Sequence, residues 1–214
     1  PPLRHRGRGT EIDIHHRLLP KTSHLSSDPA PLFAASRPLA DPRLRVLAPV
    51  DMVLHSLVHL FLEGDPDEGL RLRDLVDVHD LLGHHGQQPG FWAELAQRAR
   101  ALGFARPLFY GLRHARGLLG TPVPAEILQQ LDDAAPVWPI RVLMDQLIPL
   151  ALLPGHPDHP SRRAACSRWL LYVRAHWLRM PPGLLARHLS HKAWLRFRGA
   201  RKRIDLAQLD LKQQ

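Results

Sequence analysis

Residues 49–64 read PVDMVLHSLVHLFLEG, and their pattern decides the fold. Pro49 suits the first turn of a helix, because the N–H it lacks is one that a helix start leaves unpaired anyway. From Val50 to Glu63 the run is almost wholly apolar, and Gly64 and Pro66 end it. A helix of that composition has to be buried among other helices. Its polar stripe is His55, Ser56, His59 and Glu63, which a spacing of three and four places on one side.

Downstream, the helical pattern repeats. A second helix is expected from about Asp67 to Leu82, with Leu72, Leu75, Val76, Leu81 and Leu82 facing the core and Gly83 as its stop. Helices are expected over 91–102, 107–119, 124–132, 139–153 and 161–178, with a shorter one within 181–198 after Pro181-Pro182. The Gly-His-Pro-Asp-His-Pro stretch at 155–160 reads as a linker, and no internal repeat recurs at a fixed period.

Upstream the period changes. Residues 10–18, TEIDIHHRL, alternate polar and apolar side chains between a Gly-rich start and Pro20, as a half-buried strand does. Residues 20–49 carry six prolines with several Ser and Asp, and read as a long loop with a short turn of helix. The expected architecture is therefore α+β and mostly α: an N-terminal strand and proline-rich loop over 1–48, a helical domain over 49–198, and a basic and polar tail over 199–214.

Composition fits one compact domain. The 214 residues are 44% hydrophobic and 23% charged, near the globular average, while 21 prolines require many connections. A single cysteine, Cys166, cannot close an intramolecular disulfide, so a cytoplasmic setting is the default expectation. No run of about 18 apolar residues occurs, so no membrane span is expected. The chain opens Pro1-Pro2-Leu3-Arg4, without methionine or a leader layout, and reads as the interior of something longer. The charge of +9 is concentrated toward the C-terminus, where 192–203 alone carry six Lys and Arg; this suits a solvated tail or contact with phosphates.

Chemistry concentrates in few places. Glu11 and Asp13, two apart on a strand, set two carboxylates about 7 Å apart along one face. Such a pair suits Mg²⁺ or Mn²⁺, hard cations that prefer oxygen ligands and also bind substrate phosphates. His55 and His59 have a metal-ligating spacing, yet Ser56 follows the first where a zinc-protease helix carries glutamate, which excludes that class. Arg73 and Asp77 can pair across one helical turn, and a guanidinium can also give two parallel hydrogen bonds to phosphate. His79-Asp80, with other histidines nearby, raises a helical metal-dependent phosphohydrolase as an alternative. Cys166 lies among arginines without a histidine and acid to activate it, and reads as a packing residue. Trp169, Tyr172 and Trp177 read as the buried side of a helix, although they and Trp194 alternate with arginines that would suit stacking on bases.

PPLRHRGRGTEIDIHHRL at 1–18, APVDMVLHSLVHLFLEG at 48–64 and LRLRDLVDVHDLL at 70–82 together resemble the uncharacterised bacterial nucleotidyltransferase family in order and spacing. Arg73-Asp74-x-x-Asp77 is also similar to a motif of toxin-type nucleotidyltransferases. The resemblance implies a fold in which a Gly-Ser turn and a carboxylate pair act with a third carboxylate on a later strand to hold two metal ions and a nucleoside triphosphate (NTP). Asp13 matches the third carboxylate and His15 follows it. Glu11 is a neighbouring metal ligand, His59 matches the family histidine behind the metal site, and Arg73 would contact the nucleotide with Asp77 supporting it. These residues include no Gly-Ser followed by Asp-x-Asp. The expectation is a truncated chain that does not transfer nucleotides by itself, with the acceptor unspecified. The competing expectation is a non-enzymatic module whose basic C-terminal region holds RNA or an acidic protein.

Overall fold

The computed structural model describes residues 3–12, 18–19, 28–62, 70–155, 158–179, 181–187, 189–194 and 198, with the backbone alone at 3, 4, 11, 12 and 179. Two small antiparallel hairpins precede a body of helices, so the fold is α+β and mostly α. In the first, β1 (Leu3–Arg4) pairs with β2 (Glu11–Ile12), in the register Leu3 to Ile12 and Arg4 to Glu11. Residues 13–17, the rest of the expected strand, lie outside the described residues.

The expected loop over 20–49 has more structure than its prolines suggest. Helix α1 (Ala30–Ala35) starts with Pro31 in its first turn, and β3 (Arg37–Pro38) pairs with β4 (Arg45–Val46). Pro38 ends its two-residue strand, so the missing N–H breaks no longer ladder. The turn is closed by Asp41, whose carboxylate accepts from the backbone N–H and the guanidinium of Arg43.

Helix α2 (Pro49–Leu62) is the axis of the body. It packs against α3 (Leu72–His85), α4 (Phe91–Ala101), α5 (Ala105–Leu119) and α8 (Arg162–Arg179), which explains why a helix needs so many apolar residues. Val53, Leu54, Leu57 and Leu60 from α2 meet Leu75, Leu95 and Leu108 in one continuous core that also includes Leu19. Helices α2 and α5 approach closely. Gly111 lets the two backbones approach, since a Cβ there would stand 2.2 Å from Leu57 Cδ2. Beyond α5 come α6 (Ala125–Gln130), a 3₁₀ turn at Asp132–Ala134, and α7 (Trp138–Leu152), which packs along α8. Ser161 begins α8 by accepting the N–H of Ala164 on its hydroxyl. Helical turns at 182–187 and 189–194 follow.

Several expectations need correction. Helix α3 runs on through Gly83 to His85; a helical glycine costs only about 1 kcal/mol relative to alanine, too little to stop a helix whose next turns are packed. The close approach falls at Gly86, where a Cβ would collide with the Leu82 carbonyl and the Trp92 ring. Helix α3 begins at Leu72, after an extended Arg71, and residues 67–69 of the expected helix lie outside the described residues. Its buried stripe is Leu75, Val78 and Leu82, so Leu72 and Val76 are exposed. Val76 lies about 100° around the helix from Leu75 and cannot share its face. On α8, Tyr172 is buried as expected, but Trp169 and Trp177 are 51% and 57% exposed, and Cys166 is exposed as well. Helix α8 covers the body with one side and turns these residues away from it. No helix among the described residues is long and apolar enough to cross a membrane.

Candidate functional site

The first turn of α3 opens onto a basic pocket. Arg71 and Arg73 enter it from the segment that starts α3, Arg168 from α8, and Leu152 and Leu153 from the end of α7. The space is about 330 Å³. Arg168 is held toward it by donating to the Leu153 carbonyl at 3.3 Å. Arg71 is the last residue before α3, and among the described residues no side chain caps the helix start. Unpaired N–H groups at a helix start carry partial positive charge, which adds to the field of the three guanidinium groups. Among the described residues Asp74 stands beside Arg71, its Oδ2 accepting from Arg71 Nε at 3.4 Å. Guanidinium groups from two segments of the chain thus line one concavity with fork-shaped donors, the chemistry that binds phosphate oxygens.

The sequence-selected residues fall differently with respect to this pocket. Arg73 lines it. Asp77 does not, and Arg73 and Asp77, both exposed, do not form the ion pair that their spacing allows. In place of that contact, the pair within the first turn of α3 is Arg71 with Asp74. His55 and His59 lie on the exposed side of α2. Asp13 and His15 lie outside the described residues, and Glu11 is described only as a backbone partner of Arg4. Among the described residues no group of three His, Cys, Asp or Glu side chains could hold a metal ion. His79, the residue behind the phosphohydrolase alternative, instead bonds through Nδ1 with the buried hydroxyl of Thr121 at 2.8 Å, tying α3 to the chain beyond α5.

One buried ion pair in the body is a contact the sequence patterns passed over. Asp51, in the first turn of α2, is fully buried and receives two hydrogen bonds from Arg98 of α4, at 2.8 and 2.9 Å. Arg98 also donates to the Pro31 carbonyl of α1 at 2.8 Å. Asp51 holds the Arg98 guanidinium well above its ordinary pKa, through this hydrogen bond more than through charge alone. A lone carboxylate inside the apolar run PVDMVL is the signal that could have revealed it, since a buried charge needs a partner. Its partner, 47 residues away, carries no mark in the sequence. The contact locks α1, α2 and α4 together and shapes the scaffold that carries α3.

No curated protein and no solved structure matches the chain. The model of a family described as uncharacterised nucleotidyltransferase matches residues 2–120, which includes Arg71, Arg73, Asp51 and Arg98 but not Arg168. A match over more than half of its length, in the same segments whose motifs carry the resemblance, means that the chain belongs to this uncharacterised nucleotidyltransferase family.

Proposed function

We propose that this chain serves metal-dependent transfer of a nucleotidyl group from an NTP to an acceptor, and that the Arg71, Arg73 and Arg168 pocket holds the triphosphate. The observation that carries the reading is the convergence of three guanidinium groups beside the start of α3, within a chain of this family. In such a transfer an acceptor oxygen attacks the α-phosphorus, the bond to the bridging oxygen breaks, and pyrophosphate leaves with the electron pair. The leaving group gains negative charge, and arginines aimed at its oxygens stabilise that charge as it develops.

Mg²⁺ or Mn²⁺ belongs to the same reading and would polarise the phosphoryl oxygens when bound. Asp13, with Glu11 beside it, would hold it; His15 and His59 would support those ligands, and Asp77 would support Arg73. Since these residues lack the Gly-Ser and Asp-x-Asp pattern that completes the ligand set, binding without turnover is the expected behaviour of the chain alone.

Equilibrium titration of ATP, CTP, GTP and UTP with Mg²⁺ tests the proposal. Each charged hydrogen bond contributes roughly 1.5–3 kcal/mol, so Arg73→Ala and Arg168→Ala should each weaken binding by about tenfold or more. Absence of binding by all four nucleotides at millimolar concentration, or affinities unchanged in both variants, would overturn it. Robust incorporation of labelled nucleotide that Asp13→Ala abolishes would refute the expectation of inactivity.

A second reading keeps support from the C-terminal helices. Trp169, Trp177 and Trp194 are exposed among arginines, and the Arg198 guanidinium stands 4.5 Å from the centre of the Trp194 ring. Exposed aromatics beside cations suit stacking on RNA bases. RNA retention that falls steeply with salt, together with no nucleotide binding, would favour this module over the enzyme.

A further inference from the structure

A second pocket, about 300 Å³ in volume, lies between α2, α5 and α8, and nothing in the proposed transfer uses it. Phe61, Pro107 and Leu178 give it apolar walls, and its polar groups are Tyr110, Arg174 and Arg106. The volume is at the small end of the roughly 300–1,000 Å³ typical of small-molecule sites.

Two of those polar groups are placed to share one ligand. Tyr110 is 1% exposed, and its hydroxyl is buried with no hydrogen-bond partner. Buried hydroxyls are nearly always bonded, so a ligand group entering here would find a donor to accept from. The Arg174 guanidinium stands over the face of the Tyr110 ring, 5.4 Å from its centre, close enough for its charge to act on the hydroxyl. The ring satisfies one face of the cation only. Its planar fork of five N–H donors can still give two parallel bonds to one carboxylate while the ring lies against its face. Burial accordingly pulls the Arg174 pKa below its ordinary value and pushes that of Tyr110 up. Arg106, exposed at the mouth, is fixed by donation from Nε to the Ala134 carbonyl at 3.1 Å, and adds positive potential at the entrance.

We infer that this pocket binds a small apolar monocarboxylate, whose carboxylate sits between the Arg174 guanidinium and the Tyr110 hydroxyl and whose body lies along Phe61, Pro107 and Leu178. A carboxylate accepts two parallel bonds from a guanidinium and still has lone pairs for the tyrosine O–H. The half-buried Arg174 guanidinium balances one negative charge inside the pocket; the second charge of a phosphate dianion would lie against apolar walls, with the exposed Arg106 at the mouth alone to offset it. The inference is independent of the nucleotide reading, because it uses different residues on a different face of α8.

Calorimetric titration and thermal-shift measurements on the full chain test it, with decanoate and naphthoate as probes, the matching neutral amides as controls, and inorganic phosphate as the dianion control. The acids should bind and raise the melting temperature, and the amides and phosphate should bind at least about tenfold more weakly, because the charge-assisted bonds are lost or mismatched. Arg174→Met, which keeps the apolar bulk, should remove that preference for acids; Tyr110→Phe should weaken acid binding by roughly threefold to tenfold, the worth of one hydrogen bond. If Arg174→Met does not fold, Arg174→Lys and Tyr110→Phe carry the same test. Equal binding of acids and amides, no response to any probe at millimolar concentration, or acid binding unchanged in the variants would overturn the inference. Tighter binding of a peptide ending in an apolar residue with a free carboxylate would overturn its small-molecule form.

Discussion

Removing one partner of the Asp51–Arg98 pair is the sharpest perturbation the structure offers. Asp51 is completely buried, whereas 22% of the Arg98 side chain reaches solvent, so the two single variants differ in what they strand. Arg98→Met strands a carboxylate with no access to water and loses the bond to Pro31 as well. Breaking a buried pair by removing one partner costs about 3–5 kcal/mol, and this variant belongs in that range. Asp51→Ala strands a guanidinium that can bend toward solvent on its apolar stem, so a smaller cost of about 2–3 kcal/mol is expected. Asp51→Leu combined with Arg98→Met removes both charges and should fall within about 1.5 kcal/mol of the parent, giving strong coupling between the sites. Urea unfolding followed by circular dichroism measures all three, and an unchanged slope confirms that stability rather than compactness has moved. If Arg98→Met costs less than about 1 kcal/mol, or if the double variant costs the sum of the singles, the pair does not bind α1, α2 and α4 as argued.

Burial pushes the His114 pKa down to about 4, against a weaker opposing pull from Asp145, and its Nε2 has no hydrogen-bond partner. The unfolded chain therefore takes up the proton first: stability should be full above about pH 6.5 and fall toward pH 4 by about 3 kcal/mol. His114→Phe should flatten that slope in urea midpoints measured across the window; an unaltered slope would dismiss His114 as its source. Gly111→Ala should cost about 1–3 kcal/mol by driving a methyl into the fully buried Leu57, with a Leu57→Ala second change recovering part of the loss. A melting temperature unmoved by Gly111→Ala would mean that the two helices separate freely. His79→Ala leaves the buried Thr121 hydroxyl without its 2.8 Å partner, and a loss of about 1–3 kcal/mol is expected in the same unfolding assay. No loss would show that another group replaces the histidine.

The helices were legible because their period is local. Pro49 and the apolar run after it define α2 within a single window, and Gly120 closes α5 with the positive φ that a helix end favours. Family membership was legible for a related reason, since three short motifs in fixed order survive in the first 82 residues. Facing was less secure. Leu72 and Val76 satisfied an apolar pattern yet point outward, because α3 meets its neighbours along Leu75, Val78 and Leu82. Trp169 and Trp177 show the same limit on α8, where periodicity gives a stripe but does not say whether anything covers it.

Partnership across the chain was beyond the sequence. Asp51 and Arg98, Arg73 and Arg168, and Tyr110 and Arg174 come from segments 47 to 95 residues apart, and each pair meets only because the helices pack as they do. Residue types fix what a side chain can bond, and local spacing fixes which helix it rides. The sequence by itself thus determined a buried central helix, a mostly helical body and a family. Tertiary packing alone decided which arginines are neutralised, as Arg98 is, and which, like Arg73 and Arg174, face a pocket, because desolvation and charge pairing depend on neighbours in space.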